Sequence, residues 1–419
     1  MHSLPKTRVV TKVERQLRLL FVARRYWPAV GGVESFLRQL ARELAQRHEV
    51  TVLAHRIDDG PTDRLTDSLR PPPPFEPFED GGVHIRPLRI SARDKLLLSP
   101  LLSQVVPGFR RYAFGRARIG AASLYATVVS PTIADAGKGA QVVHMWGSDL
   151  VAAAAVRAAR RLDVPSVITP FAHRGQWGDG PADAFAYRDA DRVIGLLDAD
   201  AAVYGELGVS DERLAVCGVC SPGVRSGGGA ELRERFDIVG PLVLFLGVRR
   251  PYKGFDLISA SAPLVAKRRS DVTFAFVGPG PALVGNHGEA RLLDVGAVDD
   301  DEKAAWLDAA DLLCLPSRGE IFPVSILEAW SVGTPVLVSD LPTLRELVGK
   351  AGSGEAVALD SGSLAEAMLK LIEDPRRLRE LGEAGRMFWS ESCTAQAVAK
   401  WHEQLYESLV TPELSACAA

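Results

Sequence analysis

The chain has 419 residues, of which 47% are hydrophobic, 24% charged and 7% aromatic, and its formal net charge at pH 7 is -3. This length exceeds what one hydrophobic core usually holds, so two domains are expected. The near-neutral charge excludes a generally basic nucleic-acid-binding surface, and no apolar run reaches the length of a membrane span. The five cysteines are scattered and form no disulfide framework. Because the basic N-terminal stretch lacks the apolar region of a secretory signal, we expect a reduced, cytoplasmic protein.

Short apolar runs alternate with helical patterns through the first half of the chain. The runs that predict buried strands are Leu19–Ala23, Val50–Ala54, Val142–Met145, Ser166–Thr169 and Arg192–Gly195. Between the first two strands, Val33–Arg47 carries apolar residues at helical spacing. This alternation is typical of a parallel sheet that is covered by helices on both faces.

Two segments interrupt the alternation. The Pro-rich stretch Arg70–Glu79 predicts an exposed loop, since proline suits neither a helix interior nor a central strand. Ser91–Gly120 predicts an irregular insertion with helical character, and it combines apolar runs with clustered arginines. These arginines are Arg110, Arg111, Arg116 and Arg118. Such a segment can lie on an anionic membrane surface; the alternative, favoured by the prolines within it, is leucines that pack on the domain beside solvated arginines.

A glycine-rich stretch between Ser221 and Gly240 predicts a flexible connection, after which the alternation restarts. The strands predicted beyond it are Leu242–Gly247, Thr273–Gly278, Leu312–Leu315 and Pro335–Ser339. The predicted helices are Asp256–Lys267, Asp301–Ala310, Val324–Val332 and Leu364–Glu373. The pattern therefore indicates two α/β domains in series. Because open α/β sheets bind ligands beyond the carboxyl ends of their strands, we expect the function to lie in loops that follow strands.

The most informative loop lies within Asp311–Asp340, where a buried strand is followed by a polar loop and by a helix that begins near Pro323. A helix N-terminus that faces a cleft offers a site for an anion. Glu320 in the loop could accept hydrogen bonds from sugar hydroxyls, and Glu328 on the helix could bind a ribose diol. The spacing alone also allows an exposed loop acid and an ordinary helix acid.

Two further loops have the composition of phosphate sites. Arg249, Arg250 and Lys253 follow the first predicted strand of the second half, where cations could neutralise a departing diphosphate. Gly31 and Gly32 lie between the first strand and the first helix, where backbone N–H groups could approach a phosphate or a sugar. A solvated basic loop and a plain turn are the respective alternatives.

Histidines, cysteines and an acidic run complete the set of candidate functional residues. His144 and His173 fall at or just after strands, and either could contact the donor or have only a structural role; polar and glycine-rich surroundings favour function for His173. Cys217 and Cys220 form one C-x-x-C, which lacks the second pair of ligands of a structural zinc site. The acidic run Asp299–Glu302 is explained by helix capping and by the preference for acids in a first turn rather than by metal binding.

Taken in this order, the loops resemble family 4 of the retaining glycosyltransferases. The resemblance covers about Leu17–Leu409, and its most specific part is ADLLCLPSRGE together with LEAWSVGTPVLVSD; VGPGPAL at Val277–Leu283 and the closing helix Thr394–Leu409 also fit. The resemblance implies an α/β GT-B fold, in which two Rossmann-like doubly wound domains face each other across a cleft. The implied division is an acceptor domain at 17–222, a nucleotide-sugar domain at 240–392 and a helix at 393–410 that returns to the first domain.

The resemblance also implies a reaction and a set of site residues. A sugar would pass with retention from a nucleotide-diphospho-sugar (UDP- or GDP-sugar) to an unidentified acceptor hydroxyl, with no cofactor and no metal. Catalytic roles are implied for His173, Glu320, Lys253 and Arg249. Donor contacts are implied for Gly31, Gly32, Arg250, Lys253, Gly278, Glu320, Ile321, Phe322, Val324 and Glu328. The acceptor would be a glycan, a lipid-linked molecule or a small molecule rather than a nucleic acid, with weak contact to the inner face of the membrane as a further expectation.

Some positions depart from the family pattern. Val248 stands where an arginine is usual, Pro323 where glycine is common, and Ser221-Pro222-Gly223 where Asn-Gly is common. Proline removes a backbone N–H that could have contacted the sugar. The alternatives that remain are a non-catalytic glycosyltransferase-like binding or scaffold subunit, and a GT-B nucleotide-sugar epimerase or phosphorylase.

Overall fold

The computed structural model describes residues 16–29, 31–58, 75–99, 101, 116–283 and 288–411. Within these residues the chain forms two separate sheets, each flanked by helices. The predictions made for Arg110 and Arg111, for the side chains of Arg116 and Arg118, and for the first part of the Pro-rich loop lie outside the described residues.

The first sheet has eight strands in the order β3-β4-β2-β1-β5-β6-β7-β8, and only the β3–β4 pair is antiparallel. Its strands are β1 (Arg18–Arg25), β2 (Glu49–Arg56), β3 (Phe78–Asp80), β4 (Val83–Pro87), β5 (Val142–Trp146), β6 (Ser166–Thr169), β7 (Arg192–Gly195) and β8 (Leu214–Val216). The helices of this half are α1 (Gly32–Leu44), α2 (Ala92–Leu98), α3 (Arg116–Ala136), α4 (Leu150–Leu162), α5 (Pro181–Asp189) and α6 (Asp198–Glu206). The central strands β5 and β6 are buried at every residue, as expected for strands that are covered on both faces.

The second sheet is wholly parallel and has six strands in the order β11-β10-β9-β12-β13-β14. Its strands are β9 (Leu242–Leu246), β10 (Thr273–Val277), β11 (Arg291–Gly296), β12 (Leu312–Leu315), β13 (Val336–Ser339) and β14 (Gly354–Val357). The helices are α7 (Gly229–Arg235), α8 (Phe255–Ala266), α9 (Asp300–Ala309), α10 (Val324–Val332), α11 (Pro342–Ala351), α12 (Ser361–Ile372) and α13 (Pro375–Ser392), followed by α14 (Ala395–Val410). Two doubly wound sheets in one chain confirm the predicted fold class.

The predicted strands are confirmed to within two residues at each end, but both edge strands of each sheet and the interior strand β4 escaped prediction. The edge strands β8, β11 and β14 are only partly buried, so they lack the continuous apolar run that marks the interior strands. The predicted loop Arg70–Glu79 is wrong at its end, because Phe78 already lies in β3. β3 and β4 form a hairpin around Gly81 and Gly82, whose φ angles of 60° and 85° suit glycine.

The glycine-rich connection is more ordered than its composition predicts. It contains α7, which packs against α9 of the second sheet. A Cβ at Gly229 would lie 2.8 Å from the backbone nitrogen of Ala309, so the absence of a side chain permits this close approach. The part of the connection from Gly229 onward therefore packs with the second domain.

The last helix returns to the first domain, as the resemblance implies. In α14, Glu403 contacts Arg47 at 2.7 Å and His48 at 3.1 Å, both just beyond α1. Tyr406 of α14 is hydrogen-bonded through its hydroxyl to Nδ1 of His144 at 2.7 Å, and Nε2 of His144 lies 2.9 Å from the hydroxyl of Thr169. His144 is fully buried among these partners, so the structural alternative applies to it.

Candidate active site at the interdomain cleft

Two helix N-termini from different domains meet at the cleft. A Cβ at Gly32, the first residue of α1, would lie 3.7 Å from a methyl group of Val324, the first residue of α10. The residues that precede these helices, Gly31 and Pro323, provide no side-chain cap. The first N–H groups of a helix have no partner within the helix, so both helices direct N–H donors and a positive dipole end toward the same space. This arrangement is suited to a bound anion.

The loop that precedes α10 also reaches the first domain. A Cβ at Gly319 would lie 3.0 Å from Nε2 of Gln176, and a Cβ at Gly218 would lie 3.0 Å from the ring of Phe322. Ile321 lies between these contacts and is buried. The segment 319–324 therefore contacts the first domain along much of its length.

Lys253 and Glu320 form the charged centre of this region. Their side chains contact each other directly as an ion pair, with exposed fractions of 23% and 9%. The Glu320 carboxylate also accepts a hydrogen bond of 3.2 Å from the hydroxyl of Ser317. Gly254 has a φ of 73°, and a Cβ there would overlap the carbonyl oxygen of Pro316, so glycine lets the loop of Lys253 pack on the loop of Glu320.

Glu328, one of the two predicted acids, has a separate cationic partner. Its carboxylate accepts a hydrogen bond of 2.9 Å from Nζ of Lys303 on α9, which also lies 2.9 Å from Asp300. Burial lowers the pKa of Lys303, but Glu328 and Asp300 outweigh this effect, so the pKa is raised above its usual value. Lys303 therefore stays charged and holds the Glu328 carboxylate in place.

The two adjacent arginines beyond β9 have different environments. Arg249 is 5% exposed, its guanidinium contacts Asp294, and its backbone N–H donates to the carbonyl of Pro279 at 2.8 Å. Arg250 is exposed, as is Val248. Arg249 is thus committed to a buried ion pair within the second domain, whereas Arg250 is accessible to a ligand.

Gly278 brings two strand ends together beside these arginines. Its φ is 129°, and a Cβ would overlap the carbonyl oxygen of Gly247 at the end of β9. Its N–H donates to the carbonyl of Gly296 at 2.7 Å. Only glycine allows the backbone after β9 and the backbone after β10 to approach so closely.

His173 lies in the loop after β6, in the first domain. Its ring centroid is 3.9 Å from that of Trp177, and its backbone N–H donates to the backbone carbonyl of Trp177 at 2.8 Å. The side chain is partly buried. The same loop carries Gln176, whose Nε2 would lie 3.0 Å from a Cβ at Gly319, so His173 lies on a loop that contacts the loop of Glu320.

Several residues of this region escaped prediction. Arg318 makes a bidentate ion pair with Asp256, with oxygen–nitrogen distances of 2.8 and 2.7 Å, and it holds the pKa of that carboxyl below its usual value. The backbone N–H of Arg318 donates to the carbonyl of Tyr252 at 2.6 Å. Thr343 donates its hydroxyl to the carbonyl of Glu320 at 2.8 Å. The sequence shows Arg318 in the same loop as Glu320, but it does not show that its partner is Asp256, which lies 62 residues away.

Neither the cysteines nor the acidic run forms a metal cluster within the described ranges of the chain. Cys217, Cys220 and Cys393 are free and buried, and burial raises the pKa of each thiol. Asp299 caps α9, as predicted, by accepting a hydrogen bond of 2.8 Å from the N–H of Glu302.

Comparison with known proteins gives two family matches in chain order. The model of the family described as "Glycosyl transferase 4-like domain" matches residues 31–220, and the model of the family described as "Glycosyl transferases group 1" matches residues 240–374. A phosphatidyl-myo-inositol mannosyltransferase of Propionibacterium freudenreichii subsp. shermanii is 34% identical over 151 residues, which are 34% of this chain and 38% of that protein. The D-inositol 3-phosphate glycosyltransferase 2 of Catenulispora acidiphila is 33% identical over 251 residues, or 52% of this chain and 57% of that protein. The chain thus spans about half the length of the curated relatives it matches.

Solved structures share the fold at low sequence identity. Anabaena HepE in complex with UDP has a TM-score of 0.66 and 17% identity, with coverage of 94% of this chain and 100% of that chain. Sucrose-phosphate synthase from Thermosynechococcus elongatus has a TM-score of 0.63 and 19% identity, with coverage of 96% and 100%. Two glycosyltransferase family models that match 31–220 and 240–374, most of both domains, together with this shared fold, show that the chain belongs to the group 1 glycosyltransferases of family 4 and has the GT-B fold.

Proposed function

We propose that this protein is a retaining glycosyltransferase that moves a sugar from a nucleotide-diphospho-sugar to an acceptor hydroxyl. The observation that carries the proposal is the meeting of two uncapped helix N-termini, at Gly32 and Val324, next to the Lys253–Glu320 ion pair. A diphosphate needs donors and positive charge, and a sugar needs a fixed carboxylate for its hydroxyls. This part of the cleft offers both.

The donor is held mainly by the second domain. Glu328, fixed by Lys303, accepts the ribose hydroxyls, while Glu320 accepts hydroxyls of the transferred sugar. Lys253 exchanges its contact with Glu320 for the diphosphate when the donor enters, and Arg250 is the accessible arginine that assists it. The donor site is also lined by Ile321 and Phe322 and by the backbone of Gly31, Gly32 and Gly278. The structures of HepE with UDP and with UDP-glucose support a nucleotide-sugar donor for a protein of this fold.

The reaction proceeds on one face of the sugar. The bond between the anomeric carbon and the diphosphate oxygen breaks, Lys253 and the helix N-termini stabilise the developing charge, and the acceptor oxygen attacks from the same side. The departing phosphate takes the proton of the acceptor hydroxyl. His173 contacts the reacting sugar from the first domain. No divalent metal is required in this scheme, since Lys253, Arg250 and the helix ends supply the positive charge.

The acceptor binds to the first domain. Relatives carry names that refer to phosphatidyl-myo-inositol and to D-inositol 3-phosphate, so these two inositol compounds are the first acceptors to test. Exposed leucines on α2, Leu96 at 73% and Leu97 at 48%, next to Lys95, support contact with an anionic membrane surface and thus a lipid-linked acceptor. In the part of the chain that the structure describes, no helix is long and apolar enough to cross a membrane.

The test of the main proposal is a screen for donors followed by product analysis. A bound donor should raise the melting temperature, so UDP- and GDP-sugars are compared in a thermal-shift assay. The donors that bind are then incubated with each acceptor, and the anomeric configuration of the product is read by NMR. We expect one donor class to bind and the product to retain the donor configuration. Release of an epimerised nucleotide-sugar would instead support the epimerase, and binding without any conversion would support the scaffold.

The membrane proposal is tested by sedimentation with vesicles that contain anionic lipid. We expect the wild type to sediment at low salt and a Leu96→Asp/Leu97→Asp variant to remain in the supernatant. Met387→Asp, at a side chain that is 60% exposed on the second domain, is the matched control and should sediment like the wild type. If the wild type remains in the supernatant, the acceptor is to be sought among soluble compounds.

A further inference from the structure

A helix of the first domain is capped by a side chain of the second domain. α6 begins at Asp198, and the preceding residue, Leu197, provides no side-chain cap. The two carboxylate oxygens of Glu346, on α11, accept hydrogen bonds of 2.8 Å each from the backbone N–H groups of Asp198 and Ala199. These are the first N–H groups of α6, which have no partner within the helix. A charged acceptor at a helix N-terminus is favoured by the helix dipole and makes strong hydrogen bonds.

Lys350 completes this interdomain contact. Its Nζ lies 2.8 Å from the Asp198 carboxylate and 2.6 Å from that of Glu346. Lys350 therefore offsets the repulsion between the two acids on either side of the domain boundary. The Glu346 carboxylate is largely shielded, with an exposed fraction of 17%.

The same helix contacts the candidate active site. Thr343, in the first turn of α11, donates its hydroxyl to the carbonyl of Glu320 at 2.8 Å. Glu346 lies three residues further along, on the adjacent turn. The helix α11 thus contacts the loop of Glu320 through Thr343 in its first turn and the first domain through Glu346 in its middle.

From this geometry we infer that Glu346 is a positioning residue that holds the cleft closed and thereby fixes Glu320 relative to the first domain. The inference rests on the proposed function, since closure matters only if donor and acceptor must meet across the cleft. When the domains separate, water replaces the two hydrogen bonds, so the contact biases the equilibrium between open and closed forms without locking it. It is a polar contact of few groups, which suits a cleft that must open to release product.

The experiment compares three variants with the wild type. Glu346→Ala removes both acceptors, and Glu346→Gln keeps the shape with one acceptor oxygen. Glu366→Ala is the matched control, because Glu366 pairs with Arg268 at 2.9 Å on the exposed surface of the second domain alone. For each protein, hydrogen–deuterium exchange of the first amides of α6, donor affinity by calorimetry and steady-state kinetics are measured.

We expect Glu346→Ala to speed exchange at Asp198 and Ala199 about tenfold and to lower kcat about tenfold, with a smaller rise in donor Kd of at most about threefold, because the donor is held mainly by the second domain. Glu346→Gln should show smaller changes of both, and Glu366→Ala none. Unchanged exchange in Glu346→Ala, or a fall in kcat without faster exchange, overturns the inference. If Glu346→Ala does not fold, Glu346→Gln decides by the same criteria. If the wild type transfers no sugar from any donor, the proposed function fails while the exchange data still show whether Glu346 joins the domains.

Discussion

At Lys253, one ammonium group contacts a carboxylate that the donor sugar should also contact. The pair with Glu320 is largely shielded from water, yet the two residues come from different loops, after β9 and after β12. A shielded ion pair is costly to form unless its partners are well placed, and removal of one partner leaves the other charge uncompensated. We therefore consider it a preorganised pair whose charges are redistributed when a diphosphate and a sugar enter.

Replacement of Lys253 by alanine should impair turnover more than binding. Charge on the diphosphate increases as its bond to the sugar breaks, so the ammonium group stabilises the transition state more than the bound donor. We expect kcat to fall about 100-fold and donor affinity to fall less than tenfold, as measured by steady-state kinetics and calorimetry. Lys370→Ala, at a largely exposed ion pair with Glu355, is the control and should match the wild type. Loss of donor affinity with an intact kcat would show that Lys253 binds only the ground state.

Replacement of Glu328 by alanine should instead impair donor binding. A shielded ribose diol would lose a charged acceptor, which is worth about 1.5–3 kcal/mol, or roughly a 10- to 150-fold rise in donor Kd. Glu355→Ala removes an acid of the same domain from an exposed pair and serves as the control. Calorimetry with the donor identified in the screen measures the Kd of the wild type, of Glu328→Ala and of the control. An unchanged Kd in Glu328→Ala would exclude Glu328 from the donor site.

At the scale of an element, α14 is joined to the first domain by a buried aromatic and histidine cluster. The His144 ring stacks on that of Trp146, with centroids 4.1 Å apart, and lies 5.9 Å from the ring of His402. Burial lowers the pKa of His144 well below its usual range, and burial lowers the pKa of His402 to about 4. Neutral imidazoles are therefore part of the packing that holds the last helix in place.

This cluster predicts an acid-sensitive stability. The pKa of His402 is about 4 in the folded protein and about 6.5 when unfolded, so unfolding takes up a proton between these values. This stabilisation is complete above pH 6.5 and is lost as the pH falls, and the loss reaches roughly 3 kcal/mol for this residue near pH 4. We expect His402→Phe to lose less stability than the wild type between pH 7 and pH 4.5 in urea unfolding. His84→Phe, at a half-exposed position in β4, should keep the wild-type dependence; the same dependence in His402→Phe would contradict the prediction.

At the scale of the whole molecule, two domains contribute to one cleft. The second domain holds Glu320, Glu328 and Lys253, and the first contributes the N-terminus of α1 and the loop of His173. Protein cations and helix N-termini supply the positive charge in the proposed scheme. We therefore expect the rate of sugar transfer to be the same with and without EDTA. The assay follows transfer before and after chelation. Loss of activity that magnesium or manganese restores would show that a metal takes part in the reaction.

The sequence by itself determined the class of the fold, the interior strands other than β4 and the loops that carry Lys253, Glu320 and Glu328. It could do so because a strand covered on both faces must be apolar along its length, and because the ligand loops of an open sheet follow such strands. The edge strands were not predictable from apolar runs, since β8, β11 and β14 are only partly buried.

Only the tertiary structure decided which charges meet. Arg249 and Arg250 are adjacent and alike in sequence, yet Arg249 is buried against Asp294, 45 residues away, and Arg250 is exposed. Glu346 is an unremarkable helix acid in the sequence, but it reaches N–H groups 147 and 148 residues away. Ion pairs and caps between distant segments depend on distances of a few ångströms, and those are set by how the two sheets and their helices pack rather than by local pattern.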